Sequence, residues 1–241
     1  DVDVILTGHT HDAIPRAIKI KNTLLLSSGS HGKYLGRIDL KIDNGKVVDF
    51  SSNLIPIFSD VIQPDPEMTR LIDKIREPYE EECNRVVGKA ETLLYRRGNF
   101  GGPWDSVICD AIIQERDTEI SLSPGFRWGT TLLPGQKITI DDNYSQTSMN
   151  YPEVYRTEMS GEAIKNLLED VCDNIFNPDP FFQQGGDMVR VGGMTYTCQP
   201  KETMGNRISD LKLSNGEKIE SQKKYTIGGW GSINPEVKGP P

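Results

Sequence analysis

The feature that most constrains the fold is a change of pattern at residues 59–66, a segment that contains two prolines. Before this segment, short apolar runs alternate with turn residues, which predicts strands. After it, Met68, Leu71 and Ile75 recur at helical spacing. We therefore expect three parts: a strand-rich part at residues 1–58, a helical linker at 59–88 and a mixed α/β domain at 89–241.

Local signals within these parts are specific enough to test. Asn44-Gly45, between apolar residues, predicts a β-hairpin. Pro78 is expected to kink the linker helix because proline removes a backbone donor. Ser160 is a predicted N-cap for a helix with one apolar face, which comprises Ile164, Leu167, Leu168, Val171 and Ile175.

The charge balance narrows the choice of partners. The chain has 27 Lys and Arg against 35 Asp and Glu, a net charge of -8. Nucleic acids and anionic membranes both favour clustered basic residues, so we expect neither as a partner. Its apolar runs are also far shorter than the roughly 20 residues of a membrane-spanning helix. Its four cysteines form no Cys-x-x-Cys pair, and their spacing leaves any disulfide pairing open.

The most specific chemical signal is the run Gly8-His9-Thr10-His11-Asp12, which directly follows the first predicted strand. Loops at the carboxyl ends of buried strands are where α/β folds bind ligands. His9 and His11 are predicted metal ligands, one for each of two neighbouring ions, and Asp12 could fix a histidine tautomer. A pair of ordinary hydrogen-bonded loop histidines is the alternative. His31, in another glycine-containing loop, is expected to be a hydrogen-bonded loop residue, and a supporting role at the site is its alternative.

Gly-His-Thr-His after a strand resembles the last metal-binding motif of the calcineurin-like metallophosphoesterases. Gly32–Arg37 resembles the strand that follows this motif in the 5′-nucleotidase branch. Glu119–Arg127 stands where that branch has a strand ending in an arginine motif, and Met159–Ala163 is similar to one of its helix starts. The resemblance implies a mixed α/β (α+β) fold. In that fold the C-terminal part of a metallophosphoesterase four-layer sandwich precedes a 5′-nucleotidase-type C-terminal α/β domain.

Within that branch, three segments are most similar to the SoxB-type thiosulfohydrolases: Tyr95–Phe100, Ser123–Gly129 and Gln183–Arg190. This resemblance implies a periplasmic hydrolase with a binuclear metal centre, typically two Mn²⁺ ions. Its partner would be the SoxYZ carrier, which presents a cysteine S-thiosulfonate on a flexible arm. Metal-activated water would release sulfate from that group during thiosulfate oxidation. His9 and His11 would each ligate one metal ion.

Arginines are the candidates for binding the anionic group, because a guanidinium is permanently charged and can donate two parallel hydrogen bonds. Arg127 follows a Pro-Gly turn, and a surface ion pair is its alternative. Arg190 lies between two glycine pairs, and a substrate-binding role is slightly favoured for it. Asp187 could support the site but is more readily explained as a turn cap. Arg96 and Arg97 are expected to face solvent or to contact the acidic linker.

Two alternatives stay open at this stage. The first is a 5′-nucleotidase or cyclic phosphodiesterase of the same superfamily. Nucleotidases clamp the base between aromatic rings, whereas the nucleotidase motif is absent around Trp230 and we expect Phe181 and Phe182 to pack as a wedge. The second is a non-catalytic protein that binds the carrier. The family's earlier metal motifs do not occur in these 241 residues. We therefore expect an internal piece of a longer protein, which alone binds metal poorly and is inactive.

Overall fold

A computed structural model describes residues 2–126, 129–147 and 153–230. The chain divides into two compact units, Asp1–Glu80 and Glu81–Pro241. Strands and helices occur in both, and the predicted mixed α/β fold is confirmed. Among the described helices, none is long and apolar enough to cross a membrane.

Unit 1 begins with five strands and one helix. They are β1 (Val4–Thr7), β2 (Ile18–Ile20), β3 (Thr23–Ser27), β4 (Tyr34–Asp43), β5 (Lys46–Pro56) and α1 (Pro66–Arg76). In the first sheet, β3 lies in the middle, parallel to β1 and antiparallel to β2. Because β1 and β3 run in the same direction, the loops that follow them lie side by side at one edge.

The long antiparallel pair β4 and β5 is the hairpin that the sequence predicts. Both Asn44 and Gly45 have positive φ angles, 48° and 73°. A type I′ turn requires this geometry, and asparagine and glycine adopt it with least strain. The hairpin prediction is confirmed.

Helix α1 begins where the change of sequence pattern places it. The Asp65 carboxylate accepts hydrogen bonds from the backbone N–H groups of Glu67 and Met68, at 2.9 and 2.8 Å. The helix ends at Arg76, and a 3-10 turn follows at Glu77–Tyr79. Pro78 therefore interrupts the helix, as expected from its missing donor.

Unit 2 begins within the short helix α2 (Glu80–Cys83), and its described residues form eight further strands and three further helices. They are β6 (Val86–Lys89), α3 (Pro103–Arg116), β7 (Ile120–Ser123), β8 (Lys137–Thr139), α4 (Ile140–Thr147), β9 (Val154–Ser160), α5 (Gly161–Phe176), β10 (Arg190–Gly192), β11 (Met194–Cys198), β12 (Ile208–Leu213) and β13 (Lys224–Trp230). Its main sheet has the order β10-β7-β13-β9, in which β13 is parallel to β7 and antiparallel to β9.

The core of unit 2 forms where α5 packs with this sheet and with the β11–β12 pair. Ser160 caps α5 as predicted, since its hydroxyl accepts a hydrogen bond from the Ala163 N–H at 3.1 Å. Ile164, Leu168 and Val171 of the predicted apolar face are buried. They pack with buried residues of β7, β11, β12 and β13, such as Ile120, Leu122, Met194, Ile208 and Ile227.

A buried carboxylate joins α5 to the β11–β12 pair. Glu169 accepts hydrogen bonds from the backbone N–H groups of Gly205, Arg207 and Ile208, at 2.8, 3.3 and 2.7 Å. Buried N–H groups need such partners, because leaving one unpaired costs free energy. The loop between β11 and β12 is therefore fixed by a side chain from the helix.

We expect Glu169→Gln to lower the free energy of unfolding by about 1–3 kcal/mol, because the amide turns a donor toward backbone donors. Glu158→Gln is the matched control, since Glu158 is exposed and its ion pair with Lys224 spans 3.3 Å; its effect should stay below about 1 kcal/mol. Urea unfolding followed by circular dichroism measures both. Equal effects would contradict a structural role for the Glu169 carboxylate.

Candidate functional site

The histidine loop of unit 1 lies at the carboxyl edge of the first sheet. Residues 8–12 follow β1, and His31 lies in the neighbouring loop after β3. The rings of His11 and His31 face each other edge to face, with centroids 6.1 Å apart. The parallel pairing of β1 with β3 brings His31 next to His11, and the role of His31 stays a prediction.

Two of these histidines have an uncommon backbone conformation. His11 and His31 both have a φ of 59°, in the left-handed region that most non-glycine residues avoid. Such conformations cost free energy and concentrate at functional sites. Both interpretations of the histidines, as metal ligands and as ordinary loop residues, stay predictions.

The backbone carbonyl of Asp12 ties the two loops together. It accepts hydrogen bonds from the Ser27 hydroxyl at 2.6 Å and from the Gly29 N–H at 2.9 Å. The Ile14 N–H in turn donates to the Ser27 carbonyl at 2.9 Å. The loop that carries His9 and His11 is thus anchored on β3. A role for the Asp12 carboxylate itself stays a prediction.

His9 and His11 supply imidazole nitrogens of the kind that divalent transition metals bind. Among residues 2–126, 129–147 and 153–230, no group of three or more His, Cys, Asp or Glu side chains could hold a metal ion. The donor types of the loop therefore fit a metal site that needs further ligands. The ligand roles of His9 and His11 stay predictions.

A second arrangement, in unit 2, is a buried cluster of two arginines and two aspartates. The Asp105 carboxylate lies 2.7 Å from Nε of Arg96 and 3.4 Å from Nε of Arg190. Arg190 also pairs with Asp187 at 2.9 Å through Nη2. Their charges balance, which is what burial requires, because isolated charges in a protein interior are strongly unfavourable. We call these four residues the Asp105 cluster.

The arginines of the Asp105 cluster also bind backbone carbonyl groups from distant parts of unit 2. Arg96 donates to the carbonyl groups of Gln146 and Pro124, at 2.7 and 3.0 Å. Arg190 donates to those of Asn99 and Met188, at 2.9 and 3.3 Å. The three segments singled out by their sequence, Tyr95–Phe100, Ser123–Gly129 and Gln183–Arg190, therefore meet at this cluster.

The structure contradicts the expectation for Arg96, whereas the expectation for Arg190 stays a prediction. Arg96 is only 3% exposed, so the expectation that it faces solvent or contacts the linker is wrong. Burial lowers the pKa of Arg96, and its ion pair with Asp105 acts in the opposite direction. Arg190 is 1% exposed, with its guanidinium on Asp105, Asp187 and two carbonyl groups. Its predicted contact with an anionic substrate stays a prediction. Arg127 lies outside the described residues.

Sequence reasoning missed Asp105, although one signal for it exists. It lies in the first turn of α3, where acidic side chains are favoured. There its second carboxylate oxygen accepts a hydrogen bond from the Gly102 N–H at 2.8 Å. Asp187 is not a simple turn cap, since its carboxylate is the ion-pair partner of Arg190.

Close backbone packing joins two of the segments. A Cβ atom at Gly125 would lie 2.5 Å from the Met188 carbonyl oxygen and 2.7 Å from that of Asp187. Real side chains cannot approach a backbone so closely, so this position requires glycine. The Met188 N–H also donates to the Asn99 carbonyl at 2.8 Å.

The aromatic residues differ in part from expectation. Phe181 is 95% exposed and Phe182 is 64% exposed, so the expected packing wedge is wrong. Pro180–Phe182 forms a 3-10 turn, which holds both rings at the surface. Trp230, in contrast, is buried, and its indole N–H donates to the Ser123 hydroxyl at 2.7 Å.

The comparisons with known proteins agree with this architecture. Residues 86–231 match the family described as the 5′-nucleotidase C-terminal domain. The chain therefore belongs to the 5′-nucleotidase family through this domain. The trifunctional nucleotide phosphoesterase protein YfkN of Bacillus subtilis is 25% identical to 90% of the chain. The predicted 5′-nucleotidase-type C-terminal domain is thus confirmed.

Solved structures extend the similarity to both units. The sulfate thiohydrolase SoxB of Thermus thermophilus, solved with glycerol, is 33% identical and covers 98% of the chain, with a TM-score of 0.93. A 5′-nucleotidase precursor, also from Thermus thermophilus, has the same fold, with a TM-score of 0.79, 95% coverage and 16% identity. The chain spans only part of each relative: 44% of the SoxB chain, 49% of the nucleotidase precursor and 15% of YfkN.

We expect Asp105→Asn to lower the free energy of unfolding by about 3 kcal/mol or more, because it leaves two buried arginines without their shared counter-charge. Asp210→Asn is the control in the same unit, since exposed Asp210 pairs with Lys212 at 2.9 Å and should contribute less than about 1 kcal/mol. Chemical denaturation measures both. An Asp105→Asn effect as small as that of the control would contradict the organising role of the cluster.

Proposed function

We propose that this chain is part of a SoxB-type thiosulfohydrolase, which releases sulfate from a cysteine S-thiosulfonate on the SoxYZ carrier. The observation that carries the proposal is the similarity to the Thermus thermophilus sulfate thiohydrolase. It covers 98% of the chain at 33% identity, whereas the nucleotidase precursor from the same species is 16% identical. A periplasmic location is part of this proposal.

The Asp105 cluster is a second observation that supports the proposal. Tyr95–Phe100, Ser123–Gly129 and Gln183–Arg190 carry the sequence resemblance to this enzyme type, and side chains of the cluster hold all three together. Segments that share one buried network keep a common geometry. Their combined resemblance is therefore better evidence than three independent short matches would be.

In this proposal, His9 and His11 hold two metal ions, proposed to be Mn²⁺, together with ligands from outside the described residues. Bound metal ions of this kind lower the pKa of a coordinated water and neutralise charge on substrate oxygens. The hydrogen bonds on the Asp12 carbonyl keep the histidine loop in place on β3. Such preorganisation reduces the rearrangement that metal binding requires.

For the substrate, Arg127 is the proposed contact to the anionic sulfone group. Arg190 is also a proposed substrate residue, and its partners in the structure give it a definite structural role as well. It holds the carbonyl groups of Asn99 and Met188 and the carboxylate of Asp187. The glycines at 185 and 186, which have positive φ angles, lie next to this anchored stretch.

The decisive experiment uses the complete protein with two substrates. We expect sulfate release from the thiosulfonate form of the SoxYZ carrier, and no phosphate release from adenosine monophosphate. Ion chromatography measures the first product and a phosphate assay the second. A carrier whose arm cysteine is replaced by serine is the control. Phosphate release without sulfate release would overturn the proposal.

Metal content tests the histidines separately. We expect His9→Ala and His11→Ala each to lose about one of two bound ions from the complete protein, because each imidazole is assigned to one ion. His31→Ala, the neighbouring control, should keep both. Elemental analysis by mass spectrometry after dialysis measures the content. Full occupancy in the His9 and His11 variants would contradict their assignment.

The second candidate function is a 5′-nucleotidase or cyclic phosphodiesterase, and one observation favours it. The exposed rings of Phe181 and Phe182 offer a surface on which a nucleobase could stack. The similarity to the nucleotide phosphoesterase YfkN supports the same candidate. Non-catalytic binding of the carrier, the third candidate, corresponds to a complete protein that binds the carrier and releases neither product.

A further inference from the structure

Two of the four cysteines lie next to each other in unit 2. The Sγ atoms of Cys172 and Cys198 are 3.5 Å apart, although the residues are 26 positions apart along the chain. Cys172 lies on α5 and is fully buried, whereas Cys198 is the last residue of β11 and is half-buried. Formation of a disulfide requires the two sulfur atoms to come within about 2 Å, which small side-chain rotations can provide.

The backbones on either side of this pair are already fixed against each other. On α5, Glu169 accepts hydrogen bonds from two backbone N–H groups of the loop between β11 and β12 and from one at the start of β12. One residue beyond Cys172, Asp173 forms an ion pair with Arg207 of the same loop. A bond between the sulfur atoms would thus join elements that are held in contact by other interactions.

We propose that Cys172 and Cys198 form an intramolecular disulfide by exchange with a small oxidised thiol, and that this bond fastens α5 to β11. The proposal is independent of the substrate of the enzyme, because it concerns the core of unit 2.

The exchange takes place in two balanced steps, in which the oxidant is a disulfide such as oxidised glutathione. The Cys198 thiol loses its proton, and its sulfur attacks the oxidant, forming a mixed disulfide and releasing one thiol. Cys172 then loses its proton and attacks the Cys198 sulfur, releasing the second thiol. Two protein thiols become one disulfide, and one small disulfide becomes two thiols.

The order of these steps follows from the surroundings of each sulfur. Burial raises the pKa of the Cys172 thiol to about 12, and its contact with Cys198 acts in the same direction, while Arg207 opposes it. Tyr196, on β11, is partly buried, and this burial raises its pKa to about 12. The half-buried Cys198 is accessible to the oxidant and reacts first, whereas the fully buried Cys172 then closes the bond.

The bond would close a loop that contains the whole Gln183–Arg190 segment. Closing a loop of this length restricts the unfolded chain and should raise the melting temperature on the order of 10 °C. The segment that joins the Asp105 cluster would then lie inside the closed loop and would also be held by the ion pairs of Arg190.

Peptide mapping tests the bond directly. The reduced protein is equilibrated with oxidised glutathione, blocked with N-ethylmaleimide, denatured and digested with trypsin. Cleavage after Lys165, Arg190 and Lys201 yields peptides 166–190 and 191–201, each with one of the two cysteines. We expect these two peptides to be joined by a disulfide. Recovery of both as blocked thiols, as stable glutathione adducts or joined to another cysteine would overturn the proposal.

Thermal unfolding provides an independent readout that does not depend on the absolute stability of a variant. The difference in melting temperature between oxidised and reduced protein should persist in Cys83→Ser and disappear in Cys198→Ser. A difference of equal size in Cys198→Ser would assign the stabilisation to other cysteines and overturn the proposal.

Discussion

The interaction that joins distant segments of unit 2 is the burial of the Asp105 carboxylate between Arg96 and Arg190. Charged groups lose much of their hydration in a protein interior, and only close opposite charges and hydrogen bonds compensate for that loss. The Asp105 cluster meets this condition with two positive and two negative groups. Since each guanidinium also needs acceptors for its remaining donors, four backbone carbonyl groups are held in defined positions.

In this arrangement, the groups that hold the backbone in place are buried and are distinct from the residues exposed at the surface. Ion pairs fix Arg96 and Arg190, and the close contact at Gly125 fixes the backbone there against Asp187 and Met188. Phe181, two residues before Gln183–Arg190, is in contrast exposed. In unit 1 the histidine loop shows the same principle on a smaller scale, because backbone hydrogen bonds to the Asp12 carbonyl hold the loop.

The sequence predicts those features that depend on local signals. The Asn44-Gly45 turn, the Ser160 cap and the interruption at Pro78 each involve residues that lie close together along the chain, and all three are confirmed. The expectation that Arg96 faces solvent is wrong, because its hydrogen-bond partners lie 9, 28 and 50 positions away along the chain. Nothing near Arg96 in the sequence indicates that they meet. The expectation that Phe181 and Phe182 pack as a wedge is wrong for a different reason. Apolar character alone does not determine which rings find a packing partner.

The shared counter-ion also limits how these segments can be exchanged with those of another protein. A replacement for Gln183–Arg190 must supply an arginine that reaches Asp105 and the Asn99 carbonyl with the same geometry. Without it, buried donors and acceptors would be left unmatched. Exchanges that move all three segments with the start of α3 keep the charge balance intact. Chimeras between this chain and its relatives should therefore be cut around the Asp105 cluster and not through it.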